Sequence, residues 1–294
     1  MDIRATRIFW DTMQSFTDGR RRCLHEGGTS SSKTYSCLQF LIMVAGKAKS
    51  PMLISIVSES LPHLKRGAMR DFFNILGENP DNNPYFNKTE AVYKRPEWLG
   101  TIEFFGADDQ SKVRGPRRDI LFMNEGNNIP WETARGLDIR TSRYTIVDWN
   151  PVGEFWAHEF WLNDANSTYV HSTYLDARDV LPKQTVEDIE SYRDKDPNWW
   201  HVYGLGLVGK IEGLVYPYFD QVDELPAGDI QYGLDFGFSD DPAVLTANVL
   251  IGDKLYSKEL MYATGLTNDV IARNMDLLGL RDQHAEIFAD SSEP

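Results

Sequence analysis

Residues 26–34 read Glu-Gly-Gly-Thr-Ser-Ser-Ser-Lys-Thr. They stand between a segment able to form a short strand (21–25, RRCLH) and an apolar run of helical length (35–45, YSCLQFLIMVA). A glycine, four residues, then Ser32, Lys33 and Thr34 make a backbone that curls tightly enough for its N–H groups to surround a phosphate. Lys33 is placed to reach the β/γ oxygens, and the Thr34 hydroxyl to hold Mg²⁺. A loop of this kind must open a helix, so that the positive end of the helix dipole faces the anion. The run 35–45 supplies that helix, and Gly46, Lys47 and Lys49 give it a stop. The phosphate-contacting set is therefore Gly27, Gly28, Thr29, Ser30, Ser31, Ser32, Lys33 and Thr34, with ATP the expected ligand. Ser32 stands where a second glycine is usual. The plain alternative is a Gly/Ser turn that happens to precede Lys-Thr.

The rest of the chain suits such a fold. Its 294 residues allow one large domain or two. No stretch of about 18 apolar residues exists to span a membrane. The N-terminus lacks an apolar signal core, so the chain is expected to be intracellular, neither secreted nor membrane-bound. Cys23 and Cys37 flank the loop and are expected to stay reduced. The net charge of −14 is unevenly spread. Residues 1–70 carry a net +6 and residues 211–294 a net −12. The functional reading puts anion contacts in the first part and cation sites in the second; the plain alternative is ordinary solvated surface. A globally acidic chain argues against extensive wrapping of DNA.

Strand, helix and strand alternate after the loop: 51–58 (PMLISIVS), 61–76 as one helix, and 101–106 (TIEFFG), with 90–94 pairing beside the last. This is an α/β pattern with a largely parallel sheet. Residues 119–125 (DILFMNE) form a buried strand with two polar residues at its carboxyl end, where ligands bind in parallel sheets. Glu125 is the expected catalytic carboxylate that activates water. Asn124 stands where an aspartate usually holds the Mg²⁺ shell; it can accept from a metal-bound water but brings no charge. Residues 112–115 (KVRG) form a basic loop leading toward the same edge. After the strand 144–148 (YTIVD), Asn150 reaches the edge as a sensor of the γ-phosphate, or simply forms an Asn-Pro turn. A strand at 169–174 and a helix opening at Thr185 complete this part.

Residues 198–228, with Trp199, Trp200 and five glycines from Gly204 onward, read as a hinge. Strands at 230–235, 243–251 and 254–261, a helix at 268–278 and a strand at 285–289 follow. Asp235 ends the first of these strands and Asp290 follows the last. A β-β-β-α-β order with these acids is the pattern of ribonuclease-H-like nucleases. Two carboxylates at adjacent strand ends can hold Mg²⁺ or Mn²⁺ for phosphodiester cleavage. Taken singly, each is more often a turn residue.

Together these segments resemble the large terminase subunit of tailed bacteriophages, in the branch that includes prophage terminases. The resemblance covers nearly the whole chain. It rests on GGTSSSKT (27–34), VRG (113–115), ILFMNE (120–125), DWNP followed by EFW (148–156), HSTYLD (171–176), VYGLG (202–206), GLDFGFSDDPA (233–243) and ADSSEP (289–294). It implies a P-loop NTPase with a parallel-sheet core at 1–203, a linker at 204–228 and a partial ribonuclease-H-like α/β domain at 229–294. The activities implied are ATP-driven translocation of double-stranded DNA into a capsid and metal-dependent cutting of concatemers. Lys33 and Thr34 would bind phosphate and Mg²⁺, Glu125 would be catalytic, Asn150 would belong to the coupling motif, and Asp235 and Asp290 would be nuclease metal ligands. The implied partners are double-stranded DNA, the small terminase subunit, the portal protein and copies of the chain itself in a ring. Two departures stand. The loop has no arginine finger, so Arg114 or a neighbouring subunit must supply one. The sequence also ends at Pro294, before any counterpart of the family's third acid, so an incomplete metal cage with weak cleavage is expected. A helicase-like ATPase with a structural C-terminal domain, or a nucleotide-switched adaptor, remains the alternative.

Overall fold

The computed structural model describes residues 4–115, 117–209, 222–237, 241–282 and 285–289. The chain divides into two compact units, Met1–Leu214 and Val215–Pro294. In the first, α1 (Arg7–Thr17) precedes β1 (Arg22–Gly27), the phosphate loop and α2 (Lys33–Gly46). Then come β2 (Met52–Ser58), α3 (Leu61–Arg66), α4 (Ala68–Leu76), the short β3 (Phe86–Asn87) and β4 (Val92–Tyr93), and β5 (Gly100–Gly106). After α5 (Gln110–Val113) follow β6 (Arg118–Met123), α6 (Trp131–Ile139), β7 (Thr141–Trp149), α7 (Trp156–Phe160) and β8 (Ser167–Ser172). Helix α8 (Lys183–Lys195) and the turn α9 (Pro197–Trp199) lead into a π-helical turn, Trp200–Gly204.

The eight strands lie in the order β3-β4-β5-β2-β6-β7-β1-β8. All pairings from β5 to β8 are parallel, so β1, β6 and β7 end on the same edge. The strand order reverses at β1, the place where a parallel sheet opens a crevice for ligands. These strands are buried on both faces, as their nearly unbroken apolar runs require. Alternation sends Cys23, Ile54, Ile120, Phe122, Tyr144 and Ile146 to a core shared with α1, α2 and α4. Their neighbours Leu24, Val57, Leu121, Met123 and Val147 pack on the opposite face with Trp149, Trp156 and Trp161. Cys23 and Cys37 are both buried and unbridged.

Some local expectations change. The single helix at 61–76 is two, because the backbone of Gly67 (φ −109°, ψ −107°) leaves the helical region between α3 and α4. Ser60 caps α3 through the His63 N–H, at 3.4 Å. Helix α8 opens at Lys183 behind Pro182, not at Thr185. Residues 204–209, expected in the linker, pack on the first unit. There Gly206 N–H donates to Val202 O at 3.1 Å and Gly209 N–H to Pro151 O at 2.8 Å.

Gly27 and Gly28 are required by close approach. A Cβ on Gly27 would lie 2.2 Å from Ser172 O, and one on Gly28 2.3 Å from Tyr203 O. These contacts accompany two hydrogen bonds, Gly28 N–H to Ser172 O (2.9 Å) and Thr29 N–H to Tyr203 O (2.8 Å). Gly28→Ala is therefore expected to lower unfolding free energy by about 1–3 kcal/mol, the range for overpacking. Urea denaturation reads this directly, and an unchanged midpoint would show that the Tyr203 contact does not constrain the loop.

In the second unit, β9 (Ile230–Asp235), β10 (Ala243–Ile251), β11 (Lys254–Ala263), α10 (Asn268–Leu277) and β12 (Ile287–Ala289) follow one another. The sheet order is β11-β10-β9-β12, antiparallel except for β12, which runs parallel to β9. Tyr232, Leu234, Leu245 and Ile271 centre its core.

Candidate nucleotide site

The loop between β1 and α2 surrounds the ammonium of Lys33. Lys33 Nζ donates to Gly27 O and Gly28 O (both 2.8 Å), Ser31 Oγ (3.1 Å) and Asn150 Oδ1 (3.0 Å). Asn150 belongs to the loop after β7, so the lysine bridges two adjacent strand ends. Ser30 (φ 54°) and Ser32 (φ 67°) are both left-handed. Ser32 thus adopts the backbone that the usual glycine would. Its hydroxyl is tied to Thr6 Oγ1 at 2.7 Å and to Ser36 Oγ at 3.3 Å, contacts that offset the conformational cost.

Behind the loop stands a polar cluster. Thr34 Oγ1 donates to Asp148 Oδ2 at 2.5 Å. Asp148 Oδ1 accepts from Asn124 Nδ2 at 3.0 Å and from the Glu125 backbone N–H at 2.8 Å. The register explains this convergence. Met123 pairs with Val147, so the next residues, Asn124 and Asp148, are level on adjacent strands. Alternation turns both toward α2, where Thr34 opens the helix. Glu125 lies just past the strand end with φ 53°. Its carboxylate Oε2 is 3.2 Å from His63 Nε2 and accepts from Asn128 Nδ2 at 3.2 Å.

A cavity of about 260 Å³ is lined by loop residues 28–34 together with Glu125, Asp148 and Asn150. A second, of about 560 Å³, adjoins it through Ser30, Ser32 and Tyr35. Its walls include Arg4, Gln39, Ile75, Val180 and Leu181, a mixed apolar and polar lining.

Burial dominates the electrostatics. It lowers Lys33 to a pKa of about 8, against the raising influence of Asp148, Glu125 and Glu26. Burial pushes the Asp148 carboxyl up, opposed by hydrogen bonds from Thr34, Glu125 and Asn124 and by the Lys33 charge. His25, fully enclosed beneath the loop, drops to about 3 and stays neutral. Beside the loop, Glu26 accepts from Trp149 Nε1 (3.0 Å) and Tyr169 OH (2.5 Å) and pairs with His158 Nε2 (2.8 Å). Burial raises the Glu26 carboxyl, but these partners outweigh it and hold it below its ordinary value. This bonded carboxylate fixes the strand end from which the loop departs.

The Lys33 shift has a signed consequence. Bound phosphates favour the ammonium, while the folded chain without them releases its proton above about pH 8. Affinity for ADP should therefore fall by up to about tenfold per pH unit above that point. Stability should move the other way between pH 8 and the ordinary lysine value of 10.5, because the unfolded chain there binds more protons than the folded one. Titration of ADP into the protein from pH 7 to 9.5 checks the first; an affinity that does not change would mean that Lys33 remains charged throughout.

Lys33, Thr34, Asn124, Glu125 and Asn150 are thus brought together. Arg114 is not. It is exposed in the loop between α5 and β6, at the amino edge, where Arg118 N–H bonds Arg140 O at the start of β7. The basic loop 112–115 leads to that edge, because β6 itself, at about 3.3 Å per residue, separates it from Asn124. In the second unit Asp235 is exposed at the end of β9, and Ala289 on β12 stands opposite Leu234 beside it. Asp290 lies outside the described residues. Among the described residues no group of three His, Cys, Asp or Glu side chains is gathered that could hold a metal, and no helix is long and apolar enough to cross a membrane. Sequence reasoning missed Asp148 and the larger cavity.

No protein-family model matches the sequence, and no curated protein does. Solved structures do match. The large terminase of a thermophilic bacteriophage aligns with TM-score 0.60 at 18% identity, over 99% of this chain and 78% of its own. The same protein in complex with ATP-γ-S gives 0.59 at 15% identity, over 99% and 83%. The HK97 bacteriophage large terminase gives 0.56 at 11% identity, over 100% and 71%. At these identities the likeness is one of fold.

Proposed function

We propose that this chain, which has the fold of the phage large terminases, is an ATP-driven DNA-packaging subunit whose second unit is a nuclease. One observation carries the ATPase reading: Lys33, Thr34, Glu125, Asp148 and Asn150, from two parallel strand ends and one helix start, line a single polar cavity. The large terminase of the thermophilic bacteriophage has been solved with ADP and with ATP-γ-S. Here the triphosphate would occupy the small cavity and the base the larger one, with Tyr35 lining both.

The chain's own groups then divide the work. Loop N–H groups and the α2 N-terminus bind the phosphates. Lys33 turns its protons from Gly27 O and Gly28 O to the β/γ oxygens. That move also releases Asn150, so the end of β7 senses whether a γ-phosphate is present. Glu125 takes the proton of the attacking water. The oxygen donors beside Lys33 suit a hard cation; Mg²⁺ bound with ATP supplies neutralisation of the charge shared by the β- and γ-phosphates. An arginine from a neighbouring subunit fits a ring, since Arg114 is exposed away from its own site. The small terminase subunit and the portal protein complete the proposed assembly. In the second unit, Asp235 and Asp290 would hold Mg²⁺ or Mn²⁺ for cleavage; the β-β-β-α-β order and the position of Asp235 support this.

The test has two arms. ATP hydrolysis is measured with and without linear duplex DNA, and stimulation by duplex is expected. Nucleotide binding without hydrolysis under every condition would leave an adaptor. Plasmid cleavage is measured with Mn²⁺ and with EDTA, and loss on Asp235→Ala is expected. Metal-dependent cutting that persists in that variant would put the nuclease site on other residues.

A further inference from the structure

We infer that Asp148 is the acid of the magnesium site: the carboxylate expected at the end of β6 is supplied from the end of β7, with Asn124 as its amide partner. The inference rests on the nucleotide reading above and goes beyond it, because the sequence pattern places the acid on the other strand.

A divalent cation held with nucleotide phosphates needs oxygen ligands and nearby negative charge. Asn124, in the position expected to hold the cation, brings no charge and no oxygen facing the site. Asn124 turns its amide nitrogen toward the loop, at 3.0 Å from Asp148 Oδ1 and 3.4 Å from Thr34 Oγ1. An N–H group facing the site donates and cannot ligate a cation. Asp148 offers what is missing. It is 1% exposed, yet it lines the phosphate cavity. Its Oδ2 accepts a hydrogen bond from the Thr34 hydroxyl, which leaves a lone pair of Thr34 Oγ1, beside the one the distant Asn124 amide engages, to face a cation. A partner that orients a ligand in this way is the usual support of a metal site. The exchange is geometrically small. Asn124 and Asp148 are level on adjacent strands, about 4.8 Å apart, and both point to α2. The acid and the amide have traded strands while remaining bonded to each other.

A purely structural Asp148 would cap the Glu125 N–H and orient Thr34 without preferring any cation. The two roles are separated by how much Mg²⁺ tightens nucleotide binding. Affinity for a fluorescent ADP is measured in Mg²⁺ and in EDTA for the unaltered chain, Asp148→Asn, and the exchange variant Asn124→Asp/Asp148→Asn. The unaltered chain should gain from Mg²⁺. Asp148→Asn should lose about 10- to 100-fold of the Mg²⁺ gain, read as the ratio of its own affinities in Mg²⁺ and in EDTA, the usual range for removing a group that supports a ligand. The exchange variant, with an acid restored on β6, should recover most of it. Retention of the full gain by Asp148→Asn overturns the inference, as does an unaltered chain that binds ADP equally well with and without metal. If the unaltered chain binds no ADP at all, the nucleotide reading falls and takes the inference with it. Should Asp148→Asn not fold, a crystal of the unaltered chain with ADP and Mn²⁺ decides. An anomalous peak nearer the Asp148 carboxylate than Asn124 or Glu125 supports the assignment; a peak nearest either of those overturns it.

Discussion

Glutamine in place of Glu125 abolishes measurable ATP turnover while ADP affinity stays within about threefold of the unaltered chain. The expected loss is on the order of 10²- to 10⁴-fold in kcat, the usual contribution of a positioned general base. Binding should survive because Glu125 sits at the rim of the cavity, where its carboxylate engages His63 and Asn128 and not the loop. Its backbone is fixed independently, since the Glu125 N–H is held by Asp148 at 2.8 Å. The substitution therefore changes the charge and leaves the position. Single-turnover hydrolysis with tight-binding controls checks it. Hydrolysis by the glutamine variant at the parent rate would move the base to another residue.

Lys33→Ala acts on binding itself. The ammonium is the cation that the cavity holds against Asp148 and Glu125, and both raise its pKa. Without it, two carboxylates face an incoming triphosphate, and no other lysine or arginine among the described residues lines the small cavity to answer them. The bridge from the loop to Asn150 on the neighbouring strand end is lost as well. Phosphoryl-transfer sites work almost wholly by positioning and electrostatics, so affinity for ADP should fall by about 10²-fold or more and turnover with it. Calorimetric titration distinguishes the outcomes: an alanine variant that binds ADP within about threefold of the parent would show that Lys33 braces the loop and does not contact phosphate.

The fold around the loop was legible because its chemistry is so demanding. A tight Gly-rich turn, a lysine and a hydroxyl at a helix start must follow a buried strand, and the strand 119–125 then has to end beside it. Asp148 was legible in principle. Alternation along YTIVD puts Tyr144, Ile146 and Asp148 on one face, as it puts Ile120, Phe122 and Asn124 along the neighbouring strand. The Asn-Pro that follows drew attention to Asn150, two residues on. The larger cavity was not legible. It is assembled from α1's lead-in, α2, α4 and the segment before α8, so no local pattern marks it. The break at Gly67 was hidden for another reason: a lone glycine inside an amphipathic run is tolerated at a cost of about 1 kcal/mol. Arg114 is near the acidic strand in sequence but adjoins its first residue, not its far end. A strand carries its first residue and its last to opposite edges of the sheet.

The hydrogen bonds that fasten residues 203–209 to the sheet edge of the first unit have a mechanical consequence. Thr29 N–H holds Tyr203 O, and Gly209 N–H holds Pro151 O, one residue past Asn150, the proposed γ-phosphate sensor. Between them His171 Nε2, on β8, lies 3.0 Å from both Leu205 O and Gly206 O. The same stretch is the last described part of the chain before its course continues to the second unit. Tension along the chain would thus be borne first by hydrogen bonds anchored in the phosphate loop and beside Asn150. Under the proposed packaging function, load and nucleotide would then meet at the same few amides. A rate of ADP release that changes with applied force, in a single-molecule trap, is the signature to look for; release indifferent to force would mean that strain bypasses these bonds.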